Sequence, residues 1–307
     1  MSAVDLLFLG PVIFAALYSV AAFACAARYG RSRPSRSNCS PPVTILKPLR
    51  GNDGQLYENL ASFCRQDYRC FEIVFGVRDR HDPAIAVVNR LIRDFPDLEL
   101  KLVIDDRTIG TNLKVSNLAN LVRRANHDIL IAVDSDMRVG PNYIHAVVGP
   151  LEEPRVGLVT CLYRGVAPSG VASTLGAMFI NEWFFPAALV GTHVEPLHHA
   201  FGATIACRRQ TLGAIGGFEA LADYLADDYM LGRHLRWVDT WLVPVRDVLS
   251  FFVVIVSFLG RTVRWNDAEL RVLPDGRLER ATETANREPL GRSAAPAPFA
   301  SEWEESA

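Results

Sequence analysis

The rhythm of apolar and polar positions changes several times along this chain. Residues 6–27 are apolar without one charge, a length that crosses a bilayer. Val43-Thr44-Ile45-Leu46 then reads as a short buried strand ending at Lys47-Pro48, and after a Gly-Asn-Asp-Gly turn Leu56, Leu60, Phe63 and Cys64 recur at helical spacing. Residues 71–77 predict a second strand that ends at Arg78-Asp79. Asp82 before Pro83 marks a helix start, with Val88, Leu91, Ile92 and Phe95 as its apolar face. Leu98, Leu100, Leu102 and Ile104 alternate with Glu99, Lys101 and Val103, which predicts a strand near a sheet edge. Residues 112–125 predict a helix with Val115, Leu118, Leu121 and Val122 inward, and residues 127–133 lead into a fourth strand that stops at Asp134.

That order is β-α-β-α-β-α-β. With short connections it implies an α/β fold built on a mostly parallel sheet covered on both faces. Crossovers in such sheets are right-handed, so Lys47, Asp79 and Asp134 share one carboxyl edge. Beyond Pro141 another helix leads to a strand over 156–163. Residues 170–190 are almost uncharged and contain Trp183, Phe184 and Phe185, which reads either as a second span or, because Glu182 and Pro186 interrupt it, as a helix lying against lipid. Residues 200–207 return as a strand, Gly216-Gly217 marks a turn, and 221–237 is helical. The uncharged part of the next apolar run, 248–260, is too short to cross alone and reads as a tilted, re-entrant or paired membrane segment. Pro274-Asp275-Gly276 predicts a small hairpin between 269–273 and 277–280. The chain thus divides into a membrane anchor (1–30), a linker (31–42), a catalytic domain (43–237), a membrane-associated segment (238–262), a hairpin (263–280) and a disordered tail (281–307).

Composition supports a membrane setting. Half of the 307 residues are apolar and the mean hydropathy is +0.13. The formal charge of −2 supplies no field to recruit nucleic acid. Arg28, Arg31, Arg33 and Arg36 follow the first apolar run instead of preceding it, so it reads as a retained span with the rest of the chain on the cytoplasmic side. The six cysteines, Cys25, Cys39, Cys64, Cys70, Cys161 and Cys207, have no C-x-x-C spacing and read as reduced and mostly buried. His193, His198 and His199 fit no standard metal spacing. Chemistry concentrates at Asp134-Ser135-Asp136. Two acids at the carboxyl end of a central strand offer hard oxygen ligands to Mg²⁺ or Mn²⁺ and leave positions free for a substrate's phosphates. That is the outline of a nucleotide-sugar site.

Several short stretches carry a resemblance over roughly residues 43–237: Ile45-Leu46-Lys47-Pro48-Leu49, Val77-Arg78-Asp79 followed by Asp82-Pro83-Ala84-Ile85, Lys114 with Asn117-Leu118, Asp134-Ser135-Asp136 with Arg138-Val139, Gly157-Leu158-Val159, and Ala226-Asp227-Asp228-Tyr229. Together they resemble the membrane-bound inverting glycosyltransferases that include ceramide glucosyltransferase (family 21), and more closely the bacterial branch associated with hopanoid biosynthesis. The resemblance implies a GT-A-like sheet and transfer of a sugar, expected to be N-acetylglucosamine, from a UDP donor to a hydroxylated hopanoid at the cytoplasmic face of the inner membrane. It implies that Asp79 binds the nucleoside, that Asp134 with Asp136 holds ribose and metal, that Lys114 contacts phosphate, and that Asp228 is the general base. Arg236 and Trp237 would serve the diphosphate and acceptor region as part of Arg233-x-x-Arg236-Trp237.

Here the chain departs from the family pattern. The family separates its base from the R-x-x-R-W element by a few dozen residues, whereas only four lie between Asp228 and Arg233. On one continuous helix the two would point about 140° apart. Arg261-x-x-Arg264-Trp265 is a second match with wider spacing. Two further readings stand beside the hopanoid enzyme: transfer of glucose to ceramide or another lipid and, favoured by this departure, an inactive membrane protein that retains donor binding.

Overall fold

The computed structural model describes residues 3–32, 40–52, 54–167, 169–194, 200–224, 262–265, 268–272 and 278–280. A long helix, α1 (Ala3–Arg31), precedes an alternating series: β1 (Val43–Pro48), α2 (Leu56–Cys64), β2 (Phe71–Val77), α3 (Ala84–Asp94), β3 (Glu99–Ile104), α4 (Leu113–Val122), β4 (Ile129–Val133), α5 (Tyr143–Val148) and β5 (Leu158–Thr160). A helical rod follows, made of α6 (Val171–Met178), a π-helical turn (Phe179–Phe184) and α7 (Phe185–Val194). Next come β6 (Thr204–Arg208) and α8 (Arg209–Ala214). Separate strands β7 (Thr262–Trp265), β8 (Ala268–Val272) and β9 (Leu278–Arg280) form a small antiparallel sheet.

The main sheet has the order β3-β2-β1-β4-β6-β5. Its first four strands are parallel, and β6 runs antiparallel between β4 and β5. Consecutive residues of the central strands feed two cores. Ile45, Ile73, Phe75 and Ile131 meet Leu60, Phe63, Val88 and Leu91 of α2 and α3 on one face, while Leu46, Val74 and Leu130 meet Val115, Leu118 and Leu121 of α4 on the other. This double burial is why the strands are continuous apolar runs instead of alternating ones. The close approach of α4 to β2 requires a glycine. A Cβ at Gly76 would come within 2.6 Å of Leu121, and the Gly76 carbonyl accepts a 2.9 Å bond from Asn117 Nδ2.

The mostly parallel, two-faced sheet expected from the pattern is present, and β3 is its edge strand. Asp82 caps as expected, its carboxylate accepting from Ala84 N at 2.8 Å and from Gly51 N at 3.0 Å. Other expectations need correction. Ile92 is exposed, because only Val88 and Leu91 of the α3 face lie over the sheet. The strand expected over 156–163 shrinks to three residues at the sheet edge, and residues 222–224 follow a 3₁₀ helix (Phe218–Leu221) as a turn instead of beginning a helix. The expected hairpin acquires a third strand, which takes in Arg264 and Trp265. Of the five described cysteines, all free, only Cys64 and Cys207 are buried. Burial pushes both thiols up to about 12, so they stay protonated at neutral pH. Among the described residues one helical stretch, Val12–Arg31, is long and apolar enough to cross a membrane. The stretch 238–260 lies outside the described residues.

Candidate active site

The chain winds outward from β1 to β2 and β3, then returns to the other side of β1 as β4. Such a reversal of strand order opens a crevice at the carboxyl ends of the strands. Lys47 and Asp134 meet there. Lys47 is fully buried, its Nζ donates to the Asp134 carbonyl at 2.7 Å, and the ammonium lies 3.5 Å from the centre of the Phe63 ring. Burial holds its pKa well below the ordinary lysine range, with Asp134 and Asp136 pulling it back up. The same carbonyl accepts from Met137 N at 3.4 Å. Two residues of α2 secure the rest of the turn: Arg138 donates to Asn59 Oδ1 at 3.1 Å, and Val139 N donates to Ser62 Oγ at 3.1 Å. The Asp134-Ser135-Asp136 turn is therefore fixed from below by β1 and from the side by α2.

Lys114 stands in the first turn of α4 and its Nζ reaches Asp134 Oδ1 at 2.6 Å. Asn112 caps this helix, accepting from Lys114 N at 3.0 Å and Val115 N at 3.2 Å. Lys114, Asp134, Asp136 and Met137 line an open cleft of about 390 Å³ whose far wall is Tyr163, Ile180, Gly202 and Ala203. The donor set suits a small hard cation. Asp136 is exposed and the Asp134 side chain 35% exposed, so both acids can shed water onto a divalent ion with sites left for phosphate oxygens.

Of the remaining sequence-predicted site residues, Asp79 alone lies within the described part of the chain. Asp79 lies on the same edge, at the end of β2, with Oδ1 accepting from His81 N at 2.8 Å. Because β1 intervenes between β2 and β4, and Asp79 lies three residues beyond Gly76, which the register sets level with Asp134, it does not line the cleft. Asp228, Arg236 and Trp237 lie outside the described residues, as do Arg233, His198 and His199.

Two features went unread in the sequence. Thr111 N and Oγ1 donate to Asp223 Oδ1 at 2.9 and 3.1 Å, while Asn112 Nδ2 donates to the Tyr224 carbonyl at 2.9 Å. Asn112 thus ties the start of the Lys114 helix to a segment four residues before Asp228. The helix-capping preference of asparagine could have flagged residue 112, but no local signal links positions 112 residues apart. The second feature is at the opposite edge of the sheet. Ligand atoms of Glu72, Glu99 and His127 lie within 4.8 Å of one another. This cluster already holds a cation: Lys101 Nζ sits 2.5 Å from Glu72 and 2.9 Å from Glu99. Thr44 Oγ1 and Asn126 N complete the shell of the buried Glu72 at 2.5 and 2.6 Å.

Comparison with known proteins agrees with this architecture. A mannosyltransferase from Pyrobaculum calidifontis, solved with GDP-mannose and Mn²⁺, superposes with a TM-score of 0.52 at 22% identity, over 72% of this chain and 61% of that one. The likeness shows the fold, a GT-A-like α/β sheet. Among curated proteins, ceramide glucosyltransferase 1 of Caenorhabditis elegans is 27% identical over 238 residues, 76% of this chain and 51% of its own length. A ceramide glucosyltransferase of Komagataella phaffii is 37% identical over 101 residues, 32% of this chain and 20% of its own. The chain spans about half the length of the C. elegans relative. Residues 8–239 match the glycosyl transferase family 21 profile, and the chain belongs to that family.

Proposed function

We propose that the protein transfers a sugar from a UDP donor to a hydroxylated membrane lipid by inverting displacement, with its catalytic domain on the cytoplasmic side of the inner membrane. The observation that carries this reading is the cleft at the β1/β4 switch point, where two acids and Lys114 face an open space on a rigid support. Asp134 and Asp136 would hold Mg²⁺ or Mn²⁺. When bound, such a cation supplies Lewis-acid stabilisation of the departing diphosphate. Lys114 neutralises phosphate charge from the helix start, where free amides also favour anions. Asp79 receives the nucleoside along the same edge. Asp228 takes the proton from the acceptor hydroxyl as its oxygen attacks the anomeric carbon, and Arg236 with Trp237 completes the diphosphate and acceptor region. A lipid acceptor gives the apolar α1 a purpose, since the hydroxyl must be met at the bilayer surface.

Two donor and acceptor pairs fit this reading. The motif resemblance favours N-acetylglucosamine and a hopanoid polyol. The similarity to ceramide glucosyltransferases favours glucose and ceramide. The deciding experiment is UDP release by the purified full chain, offered UDP-N-acetylglucosamine or UDP-glucose with bacteriohopanetetrol or ceramide and Mn²⁺. Release that needs one lipid and is lost in Asp228→Asn supports the transferase and identifies its pair. Mn²⁺-dependent UDP binding without release, abolished by Asp136→Ala, would instead mean a donor-binding protein without turnover.

A further inference from the structure

We infer that α6 and the π-helical turn lie in the membrane–water boundary of the bilayer that α1 crosses, with α7 running from there alongside α1, and that Ile180 and Tyr163 connect this lipid-facing surface to the Asp134/Asp136 cleft. The inference rests on the lipid acceptor proposed above and specifies the side from which that acceptor arrives. No residue of α6 is buried, and Leu189 alone is buried in α7. Val171, Leu175, Met178, Phe179, Trp183 and Val194 are all exposed. Glu182 is the single acid or base in the rod apart from His193. An apolar surface of that extent marks a lipid or protein contact.

The occupant follows from α1. Its span ends at Arg28 and Arg31, which fixes the depth at which it leaves the hydrocarbon. Tyr29, between those arginines, meets Phe185 edge to face at 5.7 Å. The start of α7 therefore sits at headgroup level. Stacked Phe179 and Trp183, 4.9 Å apart and one turn away, belong to the same aromatic belt.

The alternative of a second span fails on where the middle of the rod is held. Asn181 exchanges two 2.9 Å hydrogen bonds with the Gly165 backbone, and a Cβ at Gly165 would come within 2.7 Å of Ala177. Phe184 meets Tyr163 at 5.3 Å and Phe201 at 5.7 Å. A spanning helix carries its midpoint about 15 Å into hydrocarbon, and these contacts would drag the loop beside β5 and β6 in with it. With α6 and the π turn held at the boundary, these contacts stay outside the hydrocarbon. The wide π turn lets Ile180 and Asn181 face the domain while Phe179 and Trp183 face lipid, and Ile180 reaches the cleft that holds Asp134 and Asp136.

The test uses the full chain in phosphatidylcholine vesicles whose acyl chains are brominated near the headgroup or near the tail. The emission of Trp183 is obtained as the difference from Trp183→Phe. Stronger quenching by shallow than by deep bromines is expected. Absence of quenching overturns the inference, and so does stronger quenching by deep bromines, which would make the rod a span. In the doubly substituted Phe179→Ser, Trp183→Ser protein the KM for vesicle-embedded acceptor should rise about tenfold, equivalent to about 1.4 kcal/mol, with the donor KM as comparison. Equal movement of both KM values would overturn the connection to the cleft. Quenching is read without turnover, so a protein that glycosylates no lipid overturns the acceptor proposal alone, whereas transfer to lipid with Trp183 unquenched overturns the surface alone.

Discussion

The two edges of the main sheet each bring a carboxylate and a lysine together, and they do opposite things with them. At the amino edge Glu72 has no exposed surface, and a hydroxyl, a backbone amide and an ammonium fill both of its oxygens. Burial pushes its pKa up, yet bonds from Lys101, Thr44 and Asn126 outweigh that and hold it below the usual range. At the carboxyl edge the arrangement is inverted: the buried partner is the lysine, Lys47, and the acids Asp134 and Asp136 face an open cleft. Asp134 satisfies its carbonyl inward and leaves its carboxylate outward, where it pairs with the partly exposed Lys114. A saturated carboxylate contributes stability. One held by its backbone with its side chain left outward can trade partners with a ligand.

The comparison breaks first on the metal. Asp136→Asn should lower sugar transfer at least about 10³-fold, or about 4 kcal/mol, and abolish Mn²⁺ binding in calorimetric titration, with the melting temperature little changed. Glu72→Gln should leave Mn²⁺ binding intact. If affinity followed Glu72, Glu99 and His127 instead, the assignment of the two edges would be reversed.

Stability should show the mirror image. Glu72→Leu leaves the Thr44 hydroxyl and the Asn126 amide without their acceptor and Lys101 with Glu99 as its carboxylate partner, a loss of about 3 kcal/mol. Denaturant unfolding of the solubilised protein measures it, and the donor KM of the folded fraction should stay at the wild-type value. Lys47→Met is intermediate. It keeps the packing over Phe63 but orphans one bond to the Asp134 carbonyl, costing about 1–3 kcal/mol. Because that carbonyl sets the turn, Mn²⁺ affinity should fall as well. A variant that loses stability with unchanged Mn²⁺ affinity would make Lys47 a core residue only.

What the sequence revealed follows from how local each signal is. Continuous apolar runs divided by helical spacing led to the parallel strands, and their common winding sense led to Lys47, Asp79 and Asp134 on one edge. Asp134 and Lys114 do meet. The burial of Lys47 was hidden, because a lysine at a strand end ordinarily reaches water and nothing nearby announces the Phe63 ring. Glu72 likewise looks like a surface residue at the start of an apolar strand, since its partners come from three other segments. The antiparallel placement of β6 depends on its pairing with β4, and pairing over that separation leaves no periodic trace. Asp79 shares the edge but not the cleft because strand order, unlike strand direction, cannot be read from the pattern.

The smallest expected effect concerns the tie across Asn112, and two substitutions separate its halves. Asn112→Ala removes both the cap of α4 and the bond to the Tyr224 carbonyl, so it should cost about 1 kcal/mol of stability and lower kcat. Asn112→Asp keeps acceptor oxygens for Lys114 N and Val115 N and suits the positive end of the helix. It loses the donor to Tyr224 and turns a buried carboxylate oxygen toward that carbonyl, so its melting temperature should drop by a few degrees, given that about 1 kcal/mol moves a domain of this size by about 2–4 °C. If the tie positions the segment that leads to Asp228, kcat should fall severalfold in Asn112→Asp while the donor KM holds. The donor site is built on β1, β4 and α4, and none of those contacts involves residue 224. Full kcat in Asn112→Asp would show that the tie only stabilises the fold, and would return Asn112 to the company of Glu72.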